Sequence, residues 1–485
     1  MVDFHTYIKV SKLVFMKESK KARKKEPLFF FFYVARDFHF FRFFFFVFFF
    51  SIFQDTHEFF IIVITLVPMI MMMILWKLLR LFIIIKSIQL IIIYFSPCQF
   101  DTSSELIIEN LPITTTTTTT TNFPIIITTI LNKLIVWDSV YFNDLFINPI
   151  QFEHQFVFCP GWIQLIKFFS SISSSNNNNN NSYYTAQLIS IIISNLCHFA
   201  SVVVLYYLTK EMDMKFGLMS SLLMIISPAG IFLTTNYSEN LSNLLTLLMF
   251  YTYYKSMNFN DIKQPSNKSI INIFIYILSG IICAINFTIR ANGLFLGMIY
   301  LFDLYHFIQN KSPLQIILSI ITGSFLFLTF LMTNIYHYIK FCPGRNEWCN
   351  NIFPSLFQFA QYHYWNVGFL KYWTINNIPN FLLVLPILLF NIYSLNYMYQ
   401  ELPKNRKLLP LIVINGLIII GGTFFWNIQI LNRITSFSPL IYWTLAYNLN
   451  MNMNMNKFWS KYVIGYCILW NFIQTGLFAA FLPPA

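Results

Sequence analysis

Long apolar runs alternate with short polar stretches along most of this chain. A transmembrane helix needs about 20 apolar residues to cross a hydrocarbon core of about 30 Å. Runs of about that length, some shorter, occur at 28–53, 59–79, 78–96, 184–208, 216–235, 241–256, 269–289, 294–308, 314–338, 379–398, 408–427, 434–447 and 462–482. Because several are short or overlap, and 156–172 is ambiguous, we interpret them as about ten spans. The pattern predicts an all-α polytopic membrane protein.

Composition narrows the class of protein further. The chain is 56% hydrophobic and only 10% charged, with a mean hydropathy of +0.59. Soluble domains average roughly 25% charged residues. These values exclude an ordinary soluble enzyme, a disordered chain and a nucleic-acid-binding module. The net charge of +12 includes a basic cluster in residues 9–25, before the first apolar run, which is typical of a cytosolic anchor.

Biased segments set the predicted domain organisation. Thr114–Thr121, Asn176–Asn181 and Met451–Asn456 are low-complexity tracts that we place in loops. We separate residues 1–77, a basic N-terminus and a Phe-rich segment to which we assign no role, from a multi-pass domain at 78–485.

Loop charges predict the orientation. The basic loops at 255–268 and 401–407 are expected in the cytosol under the positive-inside rule. Counting crossings outward from them puts 237–239, Arg290, 342–373 and Arg433 on the opposite, lumenal side. Asp138 joins them if one span follows the basic N-terminus and the ambiguous 156–172 segment does not cross fully.

Polar residues beside apolar helices are the candidate chemical groups, because each is costly in a membrane unless it faces a cavity or a partner. Asp138 lies in the aromatic-flanked stretch 137–142. A carboxylate there is a candidate general base, because partial desolvation raises its pKa. The alternative is that it caps a helix. Glu153 and His154 follow in the same predicted loop.

Two further clusters lie at predicted helix ends. Glu239 follows the helix-breaking pair Ser227-Pro228 at a hairpin tip, where it is either functional or part of a solvated turn. Arg290, followed by Asn292 and a glycine, is placed either to pair with a phosphate or to snorkel to lipid headgroups.

The longest polar loop, 340–380, contains Tyr364, Trp365 and Asn366. Aromatic rings that stack on sugars, mixed with amides that bond hydroxyls, suit a sugar or headgroup site, while an aromatic belt is the alternative. Cys342 and Cys349 are candidates for a disulfide bond in an oxidising lumen. We interpret Arg433, farther along the chain, as a packing residue. The eight histidines are scattered without metal-ligand spacing, so we expect no metal site.

Taken in order from about Leu78 to Pro484, these clusters resemble the GPI mannosyltransferase 2 family. The motifs that carry the resemblance are the Trp137-Asp138 loop with Glu153 and Phe156-x-Phe158-x-Pro160, Ser227-Pro228-Ala229 with Tyr237-Ser238-Glu239, Arg290-x-Asn292-Gly293, Tyr364 to Leu370 with Pro379 to Leu382, and the tail from Gly465-Tyr466 to Leu482-Pro483. Asn148-Pro149 departs from the family pattern, which has a Gly-Tyr pair there.

The resemblance implies a GT-C type glycosyltransferase of the endoplasmic reticulum membrane with a lumenal active site. The donor would be dolichyl-phosphate mannose, and the acceptor the mannosyl-glucosaminyl-phosphatidylinositol precursor of the GPI anchor. It implies an α-1,6 linkage made with inversion, no cofactor or metal, and in some lineages an accessory membrane subunit.

The candidate residues take roles within this resemblance. Asp138 is the expected catalytic base, and the expected substrate-binding residues are Glu153, His154, Glu239, Arg290, Asn292, Tyr364, Trp365 and Asn366. Two alternatives stay open, another dolichyl-phosphate-sugar transferase and a membrane transporter, although a transporter would favour inverted repeats that the sequence does not show.

Overall fold

The computed structural model describes residues 69–101, 124–173, 179–257, 267–450 and 454–483. The chain divides into two compact units, 1–73 and 74–485, and the first lies almost wholly outside the described residues. The basic cluster, the predicted span at 28–53 and the threonine tract also lie outside them. The assignment of residues 1–77 as a separate segment stays a prediction.

Every regular element in the described residues is helical, which confirms the predicted all-α class. The α-helices are α1 (Met69–Phe95), α2 (Ile125–Lys133), α3 (Asp138–Ile147), α4 (Pro160–Ser173), α5 (Asn179–Glu211), α6 (Gly217–Ile225), α7 (Glu239–Ser256), α8 (Asn267–Ile289), α9 (Met298–Gln309), α10 (Pro313–Phe341), α11 (Asn346–Cys349), α12 (Leu356–His363), α13 (Ile378–Glu401), α14 (Leu409–Phe424), α15 (Leu431–Ile434), α16 (Pro439–Asn450) and α17 (Asn454–Ala479). Short 3₁₀ turns lie at Glu153–Val157, Gly230–Leu233, Ala291–Gly297, Ile375–Asn377, Arg406–Leu408, Ile428–Ile430 and Thr435–Phe437.

Eight helices in the described residues are long and apolar enough to cross a membrane, or nine if the bent pair α2 and α3 is one span. The chain is therefore a multi-pass membrane protein. Some predicted spans are broken or short, because 216–235 divides into α6 and a 3₁₀ turn, and 434–447 ends in the 12-residue α16. The ambiguous 156–172 stretch becomes α4, whose 14 residues reach about 21 Å, too short to cross.

The loop after α6 breaks the helix for a local reason. Pro228 lacks the backbone N–H that a helix interior requires. Gly230 then adopts φ +49°, a conformation that glycine takes without strain. A Cβ at this position would collide with the side-chain oxygen of Gln474 on α17. The chain therefore turns inside the bundle and delivers Glu239 to the start of α7.

Helix α7 is the centre of the bundle, packing against α5 on one side and α8 on the other. Small polar side chains link it to its neighbours. Asn240 donates to Ser194 of α5, and Ser242 donates to Asn286 of α8. Interhelical hydrogen bonds of this kind hold membrane helices together, because lipid competes for none of their donors. The start of α7, and with it Glu239, is therefore held in place from both sides.

Candidate active site

Asp138 is the first residue of α3, immediately after a sharp break in the chain. Helices α2 and α3 meet at 118°, and Trp137 at the break has φ 52°. A carboxylate in the first turn of a helix is favoured by the helix dipole. The alternative that Asp138 caps a helix is not seen, since α3 has no side-chain cap bond. The carboxylate therefore follows the bend directly, and its side chain is 39% exposed.

Four charged side chains from distant parts of the chain form a continuous ionic network. Arg433 Nη1 donates to Asp138 Oδ2 at 3.0 Å, and Arg433 Nε lies 3.4 Å from Glu239 Oε1. Arg290 Nη1 lies 2.8 Å from the same Glu239 oxygen and donates to Ser238 Oγ at 3.3 Å. Two carboxylates and two guanidiniums therefore alternate in one cluster, which we call the ionic network (Asp138, Arg433, Glu239, Arg290).

The network is closed at one end and open at the other. The side chain of Glu239 is 2% exposed and that of Arg433 14%, whereas Asp138 is 39% exposed. Burial opposes the charge of Arg433, but Glu239 and Asp138 outweigh it and raise the pKa of this residue above its ordinary value. Asp138 is therefore the carboxylate of the network that an external molecule reaches most easily.

Arg433 corrects the interpretation made from sequence. We predicted a packing residue, but it joins both carboxylates, with its guanidinium also over the Phe232 ring at 4.7 Å. Asn243, one turn after Glu239 on α7, donates to Ser436 Oγ, which bonds to the carbonyl of Arg433. The local sequence carries no signal for this role, because the partners lie far away in the chain.

A free thiol lies beside the network. Cys159 Sγ accepts a hydrogen bond from Ser238 Oγ at 3.4 Å. Burial is the main cause that raises the pKa of Cys159 above its ordinary value, against the nearby charge of Arg290. The group is therefore a neutral thiol at neutral pH, and its contact reports the position of Ser238.

An aromatic cluster begins one turn after Asp138 on α3. Tyr141 packs against His154 and Phe158, with ring centroids 6.5 and 5.9 Å apart. His154 also packs on Tyr364 at 5.0 Å and Trp365 at 6.5 Å. Burial lowers the pKa of His154, against the nearby Glu153 charge that raises it, so the ring is neutral at neutral pH. The structure thus brings three predicted substrate-binding residues together, in what we call the aromatic wall (Tyr141, His154, Phe158, Tyr364, Trp365).

Glu153 belongs to a different contact. Its Oε2 accepts from Arg345 at 2.7 Å and its Oε1 accepts from Trp348 Nε1 at 2.6 Å. Cys342 and Cys349 form a disulfide that closes the loop carrying both donors. Both oxygens of Glu153 are therefore bonded to this loop, and its predicted substrate role gains no support from the geometry.

The two amides predicted to bind substrate, Asn292 and Asn366, are near the ionic network and the aromatic wall in the sequence but belong to neither. Asn292 lies two residues after Arg290 in a 3₁₀ turn, partly buried, and its Oδ1 has no hydrogen-bond partner among the described residues. Asn366 is exposed with φ 51°. Their substrate-binding roles stay predictions.

The last property of the site is its capacity to hold a metal ion. In the part of the chain that the structure describes, no three His, Cys, Asp or Glu side chains are grouped to hold a metal ion. The expectation that the chemistry needs no metal stays a prediction.

Comparison with known proteins places the chain among enzymes. A family profile described as mannosyltransferase (PIG-V) matches residues 75–485. A protein named GPI mannosyltransferase 2 from Candida albicans is 81% identical over 411 residues, covering 85% of this chain and 100% of that protein. Proteins of the same name are 33% identical in Saccharomyces cerevisiae, covering 83% of this chain and 98% of theirs, and 31% identical in Yarrowia lipolytica, covering 84% and 98%.

Among solved structures, the oligosaccharyltransferase of Archaeoglobus fulgidus, tethered with an acceptor peptide, is 14% identical. The structural match covers 84% of this chain and 55% of the oligosaccharyltransferase chain, with a TM-score of 0.44. This likeness is too weak to support any argument about chemistry. The family profile and the curated relatives span nearly all of the 74–485 unit and confirm the resemblance found from the motifs. The chain therefore belongs to the mannosyltransferase (PIG-V) family.

Proposed function

We propose that this protein transfers the second mannose of the GPI anchor from dolichyl-phosphate mannose to the mannosyl-glucosaminyl-phosphatidylinositol precursor, in α-1,6 linkage. The relatives named GPI mannosyltransferase 2 support the reaction. The observation that carries the proposal is the ionic network, in which an accessible carboxylate, Asp138, stands beside two guanidiniums. One base and a cationic phosphate site are what such a transfer needs.

The proposed chemistry is a single displacement of a GT-C type. Asp138 takes the proton of the acceptor hydroxyl, whose oxygen bonds to the anomeric carbon of mannose. The bond from that carbon to the phosphate oxygen breaks, and the electron pair leaves with dolichyl phosphate. Attack from the opposite face converts the β-linked donor into an α product. Since phosphate is already a good leaving group, the second, acidic carboxylate of a glycosidase is unnecessary.

Arg290 and Arg433 are suited to the donor phosphate. Both guanidiniums contact the same oxygen of Glu239, so they lie close together around one anionic point. The planar fork of arginine matches phosphate oxygens with paired hydrogen bonds. In this proposal Glu239 orients the two cations, and Arg433 holds the departing phosphate next to Asp138.

The aromatic wall is suited to the acceptor. Residues three apart on a helix are neighbours, so Tyr141 and Asp138 share one face of α3. Tyr141 is 42% exposed. A ring at this position has room to stack on the sugar whose hydroxyl Asp138 deprotonates, with His154, Tyr364 and Trp365 behind it.

Two observations support a lumenal site in the endoplasmic reticulum. The disulfide in the loop that bonds to Glu153 is typical of an oxidising compartment. From Glu239, the 18-residue α7 extends about 27 Å to the opposite end of the bundle, where Tyr254 donates to the carbonyl of Lys407 in the basic loop. That distance is close to the thickness of a bilayer core. An accessory membrane subunit is part of the proposal on the family resemblance alone.

The deciding experiment uses cells that lack the endogenous enzyme. Lipid extracts should accumulate a GPI intermediate with one mannose, and expression of this chain should convert it to the two-mannose form. A knockout that stalls a different glycan would assign the protein to another sugar transfer, and one with no stalled glycan would favour a transporter.

A second experiment tests the assignment of the aromatic wall to the acceptor and of the two arginines to the donor. Tyr141→Ala removes a stacking ring, so KM for the acceptor should rise about tenfold while KM for the donor stays unchanged. Tyr362→Ala is the control, because Tyr362 is a 60% exposed aromatic in the 340–380 loop. An equal rise of both KM values in microsomal assays would remove Tyr141 from the acceptor site.

A further inference from the structure

Helix α1 carries a buried lysine inside a candidate membrane span. Lys86 is only 9% exposed and lies within the span Met72–Phe95. Its Nζ donates to the carbonyl of Leu233 at 2.7 Å and to Thr234 Oγ1 at 2.7 Å. None of the ion pairs formed by the described residues includes it. A lysine at this depth is costly, and here its hydrogen bonds go to two acceptors of one loop.

The acceptors of Lys86 are tied to a second helix. The Thr234 hydroxyl donates to Gln89 Oε1 at 2.5 Å, one turn along α1. Gln89 Nε2 donates to Asn471 Oδ1 of α17 at 2.7 Å, and Asn471 donates to the carbonyl of Ser227 at 3.3 Å. The bonds therefore run from one end of the loop 227–238 to its centre through α1 and α17.

Other helices hold the same loop. Asn195 of α5 donates to the carbonyl of Thr234, and Asn240 of α7 donates to the carbonyl of Leu233, both at 2.8 Å. The loop ends at Ser238, which bonds to Arg290, and is followed at once by Glu239. Displacement of Thr234 would therefore move the residues that hold the two guanidiniums.

We propose that Lys86 is a positioning residue for the ionic network. It holds the loop 227–238 at Leu233 and Thr234, so that Glu239 meets Arg290 and Arg433 in one place. Its effect on mannosyl transfer rests on the proposed function, but its effect on the loop does not.

Transfer assays on the full chain test the catalytic consequence. Lys86→Met should lower kcat about 10- to 100-fold, because small misplacements of reacting groups cost that much. Failed insertion would not explain such a loss, because this substitution replaces a polar side chain in the membrane with an apolar one. Lys86→Arg, which keeps N–H donors at the end of a long side chain, should recover most of the rate. Lys77→Met is the control, since Lys77 is an exposed lysine of the same helix.

A coupling measurement separates the loop contact from a general effect of the charge. Thr234→Val removes the hydroxyl that Lys86 contacts. If both act through one loop position, the double variant should lose little more activity than Lys86→Met alone. Fully additive losses would overturn the proposal.

Thiol labelling tests the loop without any enzymatic assay. All seven cysteines of the chain are in described residues, and once Cys98 is replaced by serine, Cys159 is the free thiol that is only partly buried, whereas Cys197, Cys283 and Cys467 are buried. Because Cys159 contacts Ser238 at the end of the loop, Lys86→Met should increase its rate of reaction with a maleimide, and Lys77→Met should not. An unchanged labelling rate overturns the proposal, even if the chain transfers another sugar. Faster labelling with an unchanged kcat overturns the catalytic part.

Discussion

Asp138 and Asp303 are both carboxylates at apolar helices, and the structure gives them opposite surroundings. Asp303 on α9 is 6% exposed, and its two oxygens accept hydrogen bonds from the hydroxyls of Tyr253 and Tyr276, each at 2.7 Å. Asp138 is 39% exposed and bonds to the guanidinium of Arg433. Asp303 is enclosed by neutral donors and joins three packed helices, whereas Asp138 is held by a cation at an open end. The same residue type thus serves packing in one place and is available for chemistry in the other.

The largest expected difference between these two carboxylates is in catalysis. Asp138→Asn removes the proposed base and should lower transfer about 10²- to 10⁴-fold. Asp303→Asn should leave transfer by the folded enzyme near the wild-type rate, but it leaves a buried phenol without its acceptor and costs about 1–3 kcal/mol of stability. Restored surface GPI proteins in cells expressing Asp138→Asn would remove Asp138 from the catalytic role.

The next largest effect is on stability, and it concerns Arg433, the cation that pairs with Asp138. Arg433→Met leaves the buried Glu239 with one partner fewer and should lower the free energy of unfolding by about 3–5 kcal/mol. Arg433→Lys should recover only part of the lost free energy of unfolding. An ammonium does not present the two separated N–H groups that reach both carboxylates. The measurement is unfolding in detergent. Lys404→Met, at an exposed ion pair with Glu401, is the control and should change nothing measurable.

The disulfide should have a smaller effect, confined to the loop around Glu153. Replacement of Cys342 and Cys349 by serine should lower stability by about 2–3 kcal/mol, from the entropy of opening a short loop. Reductant should bring the wild-type protein to the same midpoint and leave the variant unchanged. If reductant also lowers the midpoint of the variant, the stability loss comes from elsewhere.

The smallest expected effect sharpens the description of Asp303. Tyr276→Phe removes one of its two hydrogen bonds and should cost about 1 kcal/mol of stability, with transfer unchanged. Combining it with Asp303→Asn should cost less than the sum of the single changes, because both break one contact. A clear fall in kcat for Tyr276→Phe would contradict a purely structural role for this cluster.

Part of the site was predictable because charged residues in an apolar chain are conspicuous. The sequence predicts Asp138 in an aromatic-flanked loop, and Glu239 and Arg290 at helix ends, as candidate chemical groups, and the structure brings all three together. Arg433 was interpreted as packing because its surroundings in the sequence are ordinary. Its bond to Asp138 joins residues 295 positions apart, a separation that no local pattern encodes.

For Glu153 the error was the opposite one, because neighbours in the sequence were taken to share one site. It was grouped with His154 because the two are neighbours, but their side chains point to different partners, Arg345 and Trp348 for one and the aromatic wall for the other. Lys86 attracted no prediction, since a single lysine in an apolar run does not reveal what its ammonium contacts.

The membrane class, most of the helices and three of the four charges of the ionic network follow from the amino-acid order alone, because hydrophobic run length and the cost of polar groups are local properties. The pairing of the charges, the exposure of Asp138 and the contact between Lys86 and the loop 227–238 are visible only once the helices are packed together. Those choices depend on how helices far apart in the chain pack against one another, and the hydrogen bonds and ion pairs exist only at the distances which that packing creates.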